Sequence, residues 1–449
     1  MLMPSALAVY RVRPRAELIG WAIIAILTGT LVLSFQTPAR HYLFPYAPYL
    51  QLSLQLGLFA FLLPWMRVRR CGGGSGFLVT GFLLLFIWSL LSAFWSEYPA
   101  LVVQRVLMVM SSSLSILLLT FSDPNPIKTF VRLSKALALL GAGISLIGLL
   151  IYLLGRLELA EFDTEFAWIQ VVAIGPIQIV QRVYGPFPYI RISSVFANPN
   201  TLASYLLVTL TLSIFCCFIT RGRVLWVMLT LLQGAALLFT FSRAGIFATL
   251  LSCVLLFWFL PRSRTRRTLF VASFLLSVGL GSALVLGILQ LPQSQRFSLD
   301  LNIRQIIWEY LWLRIREDPF LGVGFGVSYE TLLKPTGLEL AAHNLFLMLE
   351  VEIGLVGMSL FLSLWLLPVW QALRTLRFQS YVSRVTLASS LAIIIALFPH
   401  QIAESLLLRY GFHTLFWAYA LALMVHLSWT TVSCHEKWAL ETSLCHHRS

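Results

Sequence analysis

The long uncharged apolar runs constrain this chain most. Val79–Ser92, Ala136–Leu154 and Phe270–Leu291 contain no charged residue, and a helix needs about 20 mostly apolar residues to cross a hydrocarbon core. Such runs recur along all 449 residues, leaving 59% of the chain hydrophobic and 11% charged. A soluble domain carries about 25% charged residues. The pattern predicts an all-α, polytopic membrane protein, because helices satisfy every backbone polar group internally. About a dozen transmembrane helices are expected, at roughly 18–35, 46–66, 77–96, 101–121, 136–155, 201–219, 224–241, 244–260, 269–291, 344–369, 386–399 and 411–428. Arg11, Arg13 and Arg15 precede the first run, which is long enough to span and lacks a small-residue cleavage site, so it reads as a membrane helix and not as a removable signal.

A net charge of +14 raises the question of nucleic acid, and the distribution of the basic residues answers it. They form no single patch or stripe. They recur between apolar runs, at Arg67, Arg69 and Arg70, at Lys128, Arg132 and Lys135, and at Arg221 and Arg223. Further clusters lie at Arg262, Arg264, Arg266 and Arg267, and at Arg374, Arg377 and Arg384. The intervening short turns hold few: Arg40, Arg243 and Arg409. This is the positive-inside pattern, and it places both termini in the cytoplasm of a cell whose inner membrane holds the protein. Nucleic acid is not an expected partner; membrane lipid is.

The six cysteines fall in apolar runs (Cys216, Cys217, Cys253) or on segments placed in the cytoplasm (Cys71, Cys434, Cys445), which implies no disulfide framework. Cys434-His435 and Cys445-His446-His447 have no metal-site spacing, and no metal or cofactor is expected.

Two outer connections are long, about 156–200 and 292–343. Loops of that length are functional or disordered, and their aromatic and β-branched content argues against disorder. In the first, Ala167–Val183 is apolar enough to lie in the membrane interface, and the chain then turns at Tyr184-Gly185-Pro186-Phe187-Pro188-Tyr189. In the second, Ile303–Arg316 reads as an interfacial helix stopped by Asp318-Pro319, with a flexible turn at Gly322, Gly324 and Gly326. The organisation expected is one membrane domain in three stretches. Residues 1–200 hold the first helices and first long loop, 201–370 the core and second long loop, and 371–449 the last helices and tail.

Ionisable groups near membrane depth are costly and point to function. Arg191 lies ahead of Asn198-Pro199-Asn200. Arg243 sits in the tight turn Thr240-Phe241-Ser242-Arg243-Ala244-Gly245. Arg304 and Trp308 are four apart on the interfacial helix, and His343-Asn344 opens the tenth span. A lone arginine here is most simply a headgroup contact, and a lone histidine at a helix start is most often structural. All of them on one side of the bundle describe an anion site. Guanidinium forks pair with phosphate oxygens at two points, and more strongly where water is scarce. A histidine beside them supplies a side chain able to act as a base near neutral pH. Glu350, seven residues after His343, falls on the same helical face and is the candidate to orient it. His400 and Glu404, an i,i+4 pair at the last outer turn beside Arg409, read as structural or as support for the site residues. Asp163-Thr164-Glu165 reads as a solvated acidic face.

At these residues the chain resembles the O-antigen ligase and O-antigen polymerase superfamily of bacterial envelope glycosyltransferases. The matching stretches, in order, are Arg191-Ile-Ser-Ser-Val-Phe-Ala-Asn-Pro-Asn-Thr-Leu-Ala, Thr240-Phe-Ser-Arg-Ala-Gly, and Arg304 with Trp308. Asp318-Pro-Phe-Leu-Gly-Val-Gly-Phe-Gly, His343-Asn and Glu352-Ile-Gly-Leu-Val-Gly complete the set. No single motif is specific; the ordered set over about residues 185–370 is. The resemblance implies a GT-C-like bundle that moves a glycan from a polyprenyl-diphosphate carrier to a glycan or lipid acceptor at the outer face, with inversion and without metal. It further implies that Arg191 and Arg243 hold the diphosphate with Arg304 assisting, and that His343 takes the acceptor proton; Asn344, Glu350, Asn198, Asn200 and Trp308 are the candidates to support them. The same superfamily includes a branch regarded as small-anion (bicarbonate-type) transporters. Retention of His343-Asn344 favours the transferase, because a carrier has no evident need for a base there.

Overall fold

The computed structural model describes residues 14–34, 47–66, 72–162, 165–174, 177–184, 190–196, 198–260, 294–336 and 342–446. The expected span at 269–291, the arginines at 67–70 and 262–267, Cys71, Asp163-Thr164 and the turn at 185–189 lie outside the described residues.

The helices in chain order are α1 (Pro14–Leu33), α2 (Ala47–Leu62), α3 (Gly72–Leu91), α4 (Pro99–Ser122) and α5 (Pro126–Leu154). After a small sheet come α6 (Pro199–Ile219), α7 (Arg223–Phe239) and α8 (Arg243–Phe259). They are followed by α9 (Ser294–Glu317), α10 (Leu345–Thr375), α11 (Tyr381–Ala403) and α12 (Phe412–His446). Pro99, Pro126 and Pro199 each open a helix, where a missing N–H costs nothing. The protein is a mostly helical, multi-pass membrane protein. Among the described residues six helices (α3, α4, α5, α6, α10 and α11) are long and apolar enough to cross a membrane, and four further apolar helices are shorter. Of the dozen expected spans, these six meet the length and hydropathy of a membrane span among the described residues. The segments at 224–241 and 244–260 form helices of 17 residues each.

Burial reads as in a lipid-solvated bundle. The described side chains of α12 from Phe412 to Ser428 are buried, and α6 and α11 are buried over most of their length. The apolar residues left exposed lie on outer helices, as with Val224, Met228 and Leu231 on α7. Their i, i+4, i+7 spacing makes one apolar face turned outward, the reverse of a soluble amphipathic helix.

The first long loop departs from the expected interfacial segment. It is an antiparallel sheet, β1 (Arg156–Phe162), β2 (Glu165–Ile174), β3 (Ile177–Tyr184) and β4 (Arg191–Ile192), in the order β1-β2-β3-β4. Its local cause is a period of two in a β-branched stretch, with Gln170 paired opposite Gln181. Gln181 Nε2 donates to Gln170 Oε1 at 2.8 Å, and Gln181 Oε1 accepts from Ser194 N at 3.1 Å. Ser194 Oγ then donates to the Ile144 carbonyl of α5 at 2.7 Å. This buried polar chain anchors the sheet to the bundle, and the sheet delivers Arg191 on its last strand, opposite Tyr184.

The helix expected at 303–316 is present and longer, and Asp318-Pro319 follows its end. Ile307, Leu311 and Ile315 bury against Met348 and Val351 of α10, so α9 rests on the opening turns of that helix.

The expected continuous span at 344–369 is interrupted. Gly354 has φ 62 and ψ −174 inside α10, which frees the preceding carbonyls. The glycine loop after α9 binds them: Val323 N donates to the Val351 carbonyl and Gly324 N to the Glu352 carbonyl, both at 2.8 Å. Trp88 Nε1 of α3 donates to the Ile353 carbonyl at 2.9 Å, and Leu355 N reaches the Pro319 carbonyl at 2.8 Å. A broken helix is tolerated at membrane depth only when its backbone is resatisfied in this way. A Cβ on Gly354 would lie 2.0 Å from the Phe320 carbonyl oxygen, and one on Gly324 2.5 Å from Ser96 Oγ. Glycine-Val-Glycine-Phe-Glycine and Glu352-Ile-Gly are thus two halves of one joint.

Candidate active site

Local capping sets the positions of the candidate residues. Asn198 caps α6 by accepting from Thr201 N at 2.8 Å, and Ser242 caps α8 by accepting from Gly245 N at 3.4 Å. Asn344 caps α10 by accepting from Phe346 N and Leu347 N at 3.1 and 3.2 Å. Asn198 and Asn344 accordingly serve as helix caps. Packing gathers these helix starts at one end of the bundle. An added Cβ at Gly245 of α8 would meet Ala203 of α6 at 2.4 Å. The Tyr205 ring of α6 lies 4.4 Å from His413 of α12. Arg409, just before α12, reaches Met348 of α10 at 3.8 Å.

Two of the expected arginines meet at one turn. Arg191 Nε donates to the Thr240 carbonyl and its Nη2 to Asn200 Oδ1, both at 2.9 Å. Thr240 begins the turn whose fourth residue, Arg243, is the first residue of α8. The backbone inside this turn is left-handed at Phe241, φ 49.

His343 and Arg304 form a second group. The His343 Nδ1 lies 3.0 Å from Glu404 Oε2, and Arg304 Nη2 lies 4.0 Å from Glu404 Oε1. Arg304 Nη1 also donates to the Ala403 carbonyl at 3.3 Å, the last residue of α11. Trp308 Nε1 donates to the Ala342 carbonyl at 2.7 Å, which pins the backbone immediately before His343. Glu404 is 7% exposed. Burial is the largest influence on its carboxyl and pushes it up. The hydrogen bond with His343 and the charges of His343, His400 and Arg304 outweigh burial and hold it below the ordinary value of 4.5. An ionised carboxylate can only accept. Nδ1 must then carry a proton, and in the neutral ring Nε2 keeps its lone pair.

The partner of His343 is therefore Glu404 and not Glu350. The helical-face argument for Glu350 fails because His343 precedes the cap of α10 and has φ 47, outside the helical period. Of the structural and supporting roles open to Glu404, the contact with His343 gives it the second; α11 ends at Ala403 and Glu404 is extended, φ −147 and ψ 158. A carboxylate at the membrane boundary was the available signal. Arg304, expected on the diphosphate, is turned toward Glu404.

These elements describe a multi-pass membrane protein with a basic, histidine-bearing site at one end of its bundle. Residues 226–362 match the family model of O-antigen ligase, which supports the O-antigen ligase and polymerase superfamily for that stretch. The family's activity is glycan transfer of ligase or polymerase type. No curated protein sequence matches the chain. The matched stretch contains Arg243, Arg304, Trp308, His343, Asn344 and Glu350; Arg191, Asn198, Asn200 and Glu404 lie beyond it.

Proposed function

We propose that this protein transfers a glycan from a polyprenyl-diphosphate carrier to an acceptor hydroxyl at the outer face of the bacterial inner membrane, with both termini in the cytoplasm. The observation that carries the reading is the hydrogen-bonded pair of His343 and Glu404. His343 Nε2 takes the proton of the acceptor hydroxyl as its oxygen attacks the anomeric carbon. The bond from that carbon to the diphosphate oxygen breaks on the opposite side, and single displacement inverts the centre. Negative charge grows on the departing diphosphate, where Arg191 and Arg243 meet it with preorganised donors in place of a metal. Arg304 assists by holding Glu404 and adding positive charge at the same rim. Alignment of donor and acceptor supplies much of the remaining acceleration.

The test is transfer by the purified protein in nanodiscs, given a polyprenyl-diphosphate glycan and an acceptor. His343→Ala should abolish transfer while leaving the melting temperature unchanged. Undiminished turnover in that variant removes the assigned role of His343 and with it this reading.

A further inference from the structure

A cleft of about 180 Å³ lies beside the broken helix and away from His343, lined by Trp95, Glu97, Arg314, Asp318, Thr331 and Val351 together with the glycine loop. Neither the expected site residues nor the steps above use it. Its chemistry is mixed in a particular way. Glu97 and Asp318 are exposed carboxylates, and Arg314 Nη1 already pairs with Glu317 at 2.5 Å on the same helix. The free charge of the cleft is thus acidic, which disfavours a phosphate and suits hydroxyl donors. Trp95 offers an aromatic wall. Its Nε1 and the Oγ1 of Thr331 are buried with no hydrogen-bond partner among the described residues, leaving polar atoms unpaired at the cleft wall.

Place agrees with chemistry. Helix α9 carries Arg304 and Trp308 at the His343 end and Arg314 at the cleft, with Asp318 just past its last residue; Arg304 and Arg314 are about 15 Å apart along its axis. A short oligosaccharide spans that distance. Phe94, Phe320 and Trp312 are exposed near the cleft, as expected of side chains resting at a membrane interface.

We infer that this cleft is a saccharide-binding subsite that holds the neutral sugars of a glycan whose reacting end lies at His343. The inference rests on the transferase reading for the source of its ligand, and its test does not depend on turnover. The probe is the neutral oligosaccharide released by mild acid from the lipid-linked glycan fraction of the source cells. It is titrated calorimetrically into the full-length protein in nanodiscs.

Wild type should bind saturably, and Trp95→Ala should weaken binding about tenfold by loss of the stacking wall. Since Trp95 also packs on Trp88, with ring centroids 5.8 Å apart, Trp95→Ala is a folding risk. The double variant Glu97→Gln with Asp318→Asn provides the decision if Trp95→Ala does not fold, and should also weaken binding. Unchanged binding in the folded variants, or no saturable binding by wild type, overturns the subsite. Turnover by His343→Ala would instead overturn the transferase reading and leave the binding result standing.

Discussion

Glu404 approaches the Nδ1 of His343 to 3.0 Å from a different helix end, 61 residues further along the chain. The pair fixes the histidine tautomer, and Arg304, 4.0 Å from the other carboxylate oxygen, adds to the lowering of the Glu404 carboxyl that the His343 hydrogen bond leads. Loss of that carboxylate should therefore be felt in the chemical step.

Glu404→Gln should lower the transfer rate by about two to four orders of magnitude, because the amide no longer enforces the Nδ1–H tautomer. Glu404→Asp should recover part of it. Binding of the polyprenyl-diphosphate donor, measured separately, should change little. A Glu404→Gln enzyme within tenfold of wild type would show that the pair is structural.

Arg191 and Arg243 are expected to act as forks and not only as charges. Lysine at either position keeps the charge and loses the two-point geometry. Arg191→Lys and Arg243→Lys should each cost roughly 1.5–3 kcal/mol of transition-state stabilisation, read as loss of kcat/KM. Full activity in both lysine variants would reduce them to headgroup contacts.

Gly354→Ala tests the helix joint. Left-handed backbone and a Cβ 2.0 Å from a carbonyl oxygen should together destabilise the protein by about 2 kcal/mol or more. The expected readout is a lowered melting temperature in detergent, accompanied by reduced yield. An unshifted melting curve would mean that the joint relaxes freely.

Glu330 offers a test in pH. Burial raises its carboxyl most, but its hydrogen bonds to Arg105 and its own backbone, with the charges of Arg105 and Arg409, hold it below the ordinary 4.5. Arg105 Nη2 lies 2.5 Å from Glu330 Oε1 and Nη1 2.9 Å from Oε2, and Arg105 also donates to the Gly326 carbonyl. Since the folded value is depressed, its contribution to stability is present above pH 4.5 and is lost as pH falls through the folded value. Wild type should lose melting temperature on acidification in that range. Glu330→Gln should start lower and lose less. Parallel curves would exclude the pair as a source of acid sensitivity.

The joint and the site were legible in the sequence to different degrees. The glycine triplet after Asp318-Pro319 was visible as a turn, but its partner carbonyls at Val351 and Glu352 were not, because α10 read as one unbroken apolar span. The sheet that carries Arg191 was hidden for a related reason: Ala167–Val183 is mostly apolar, and the pairing of Gln170 with Gln181 that marks it as strands appears only in the sheet register. The arginines themselves stood out because charge near membrane depth is costly enough to be noticed without a structure.

What the sequence determined by itself is the solvent and the element type: runs too apolar for water force helices in lipid, and proline and asparagine mark where α6 and α10 begin. It also marked His343 and the basic residues by their rarity at membrane depth. Which carboxylate meets His343 was decided only by tertiary structure. Glu350 is near in sequence, but His343 lies outside the helical period of α10, whereas α11 ends one residue before Glu404 and turns it onto the imidazole. Local periodicity cannot anticipate a contact made between two helix ends, because the packing of other helices sets their separation.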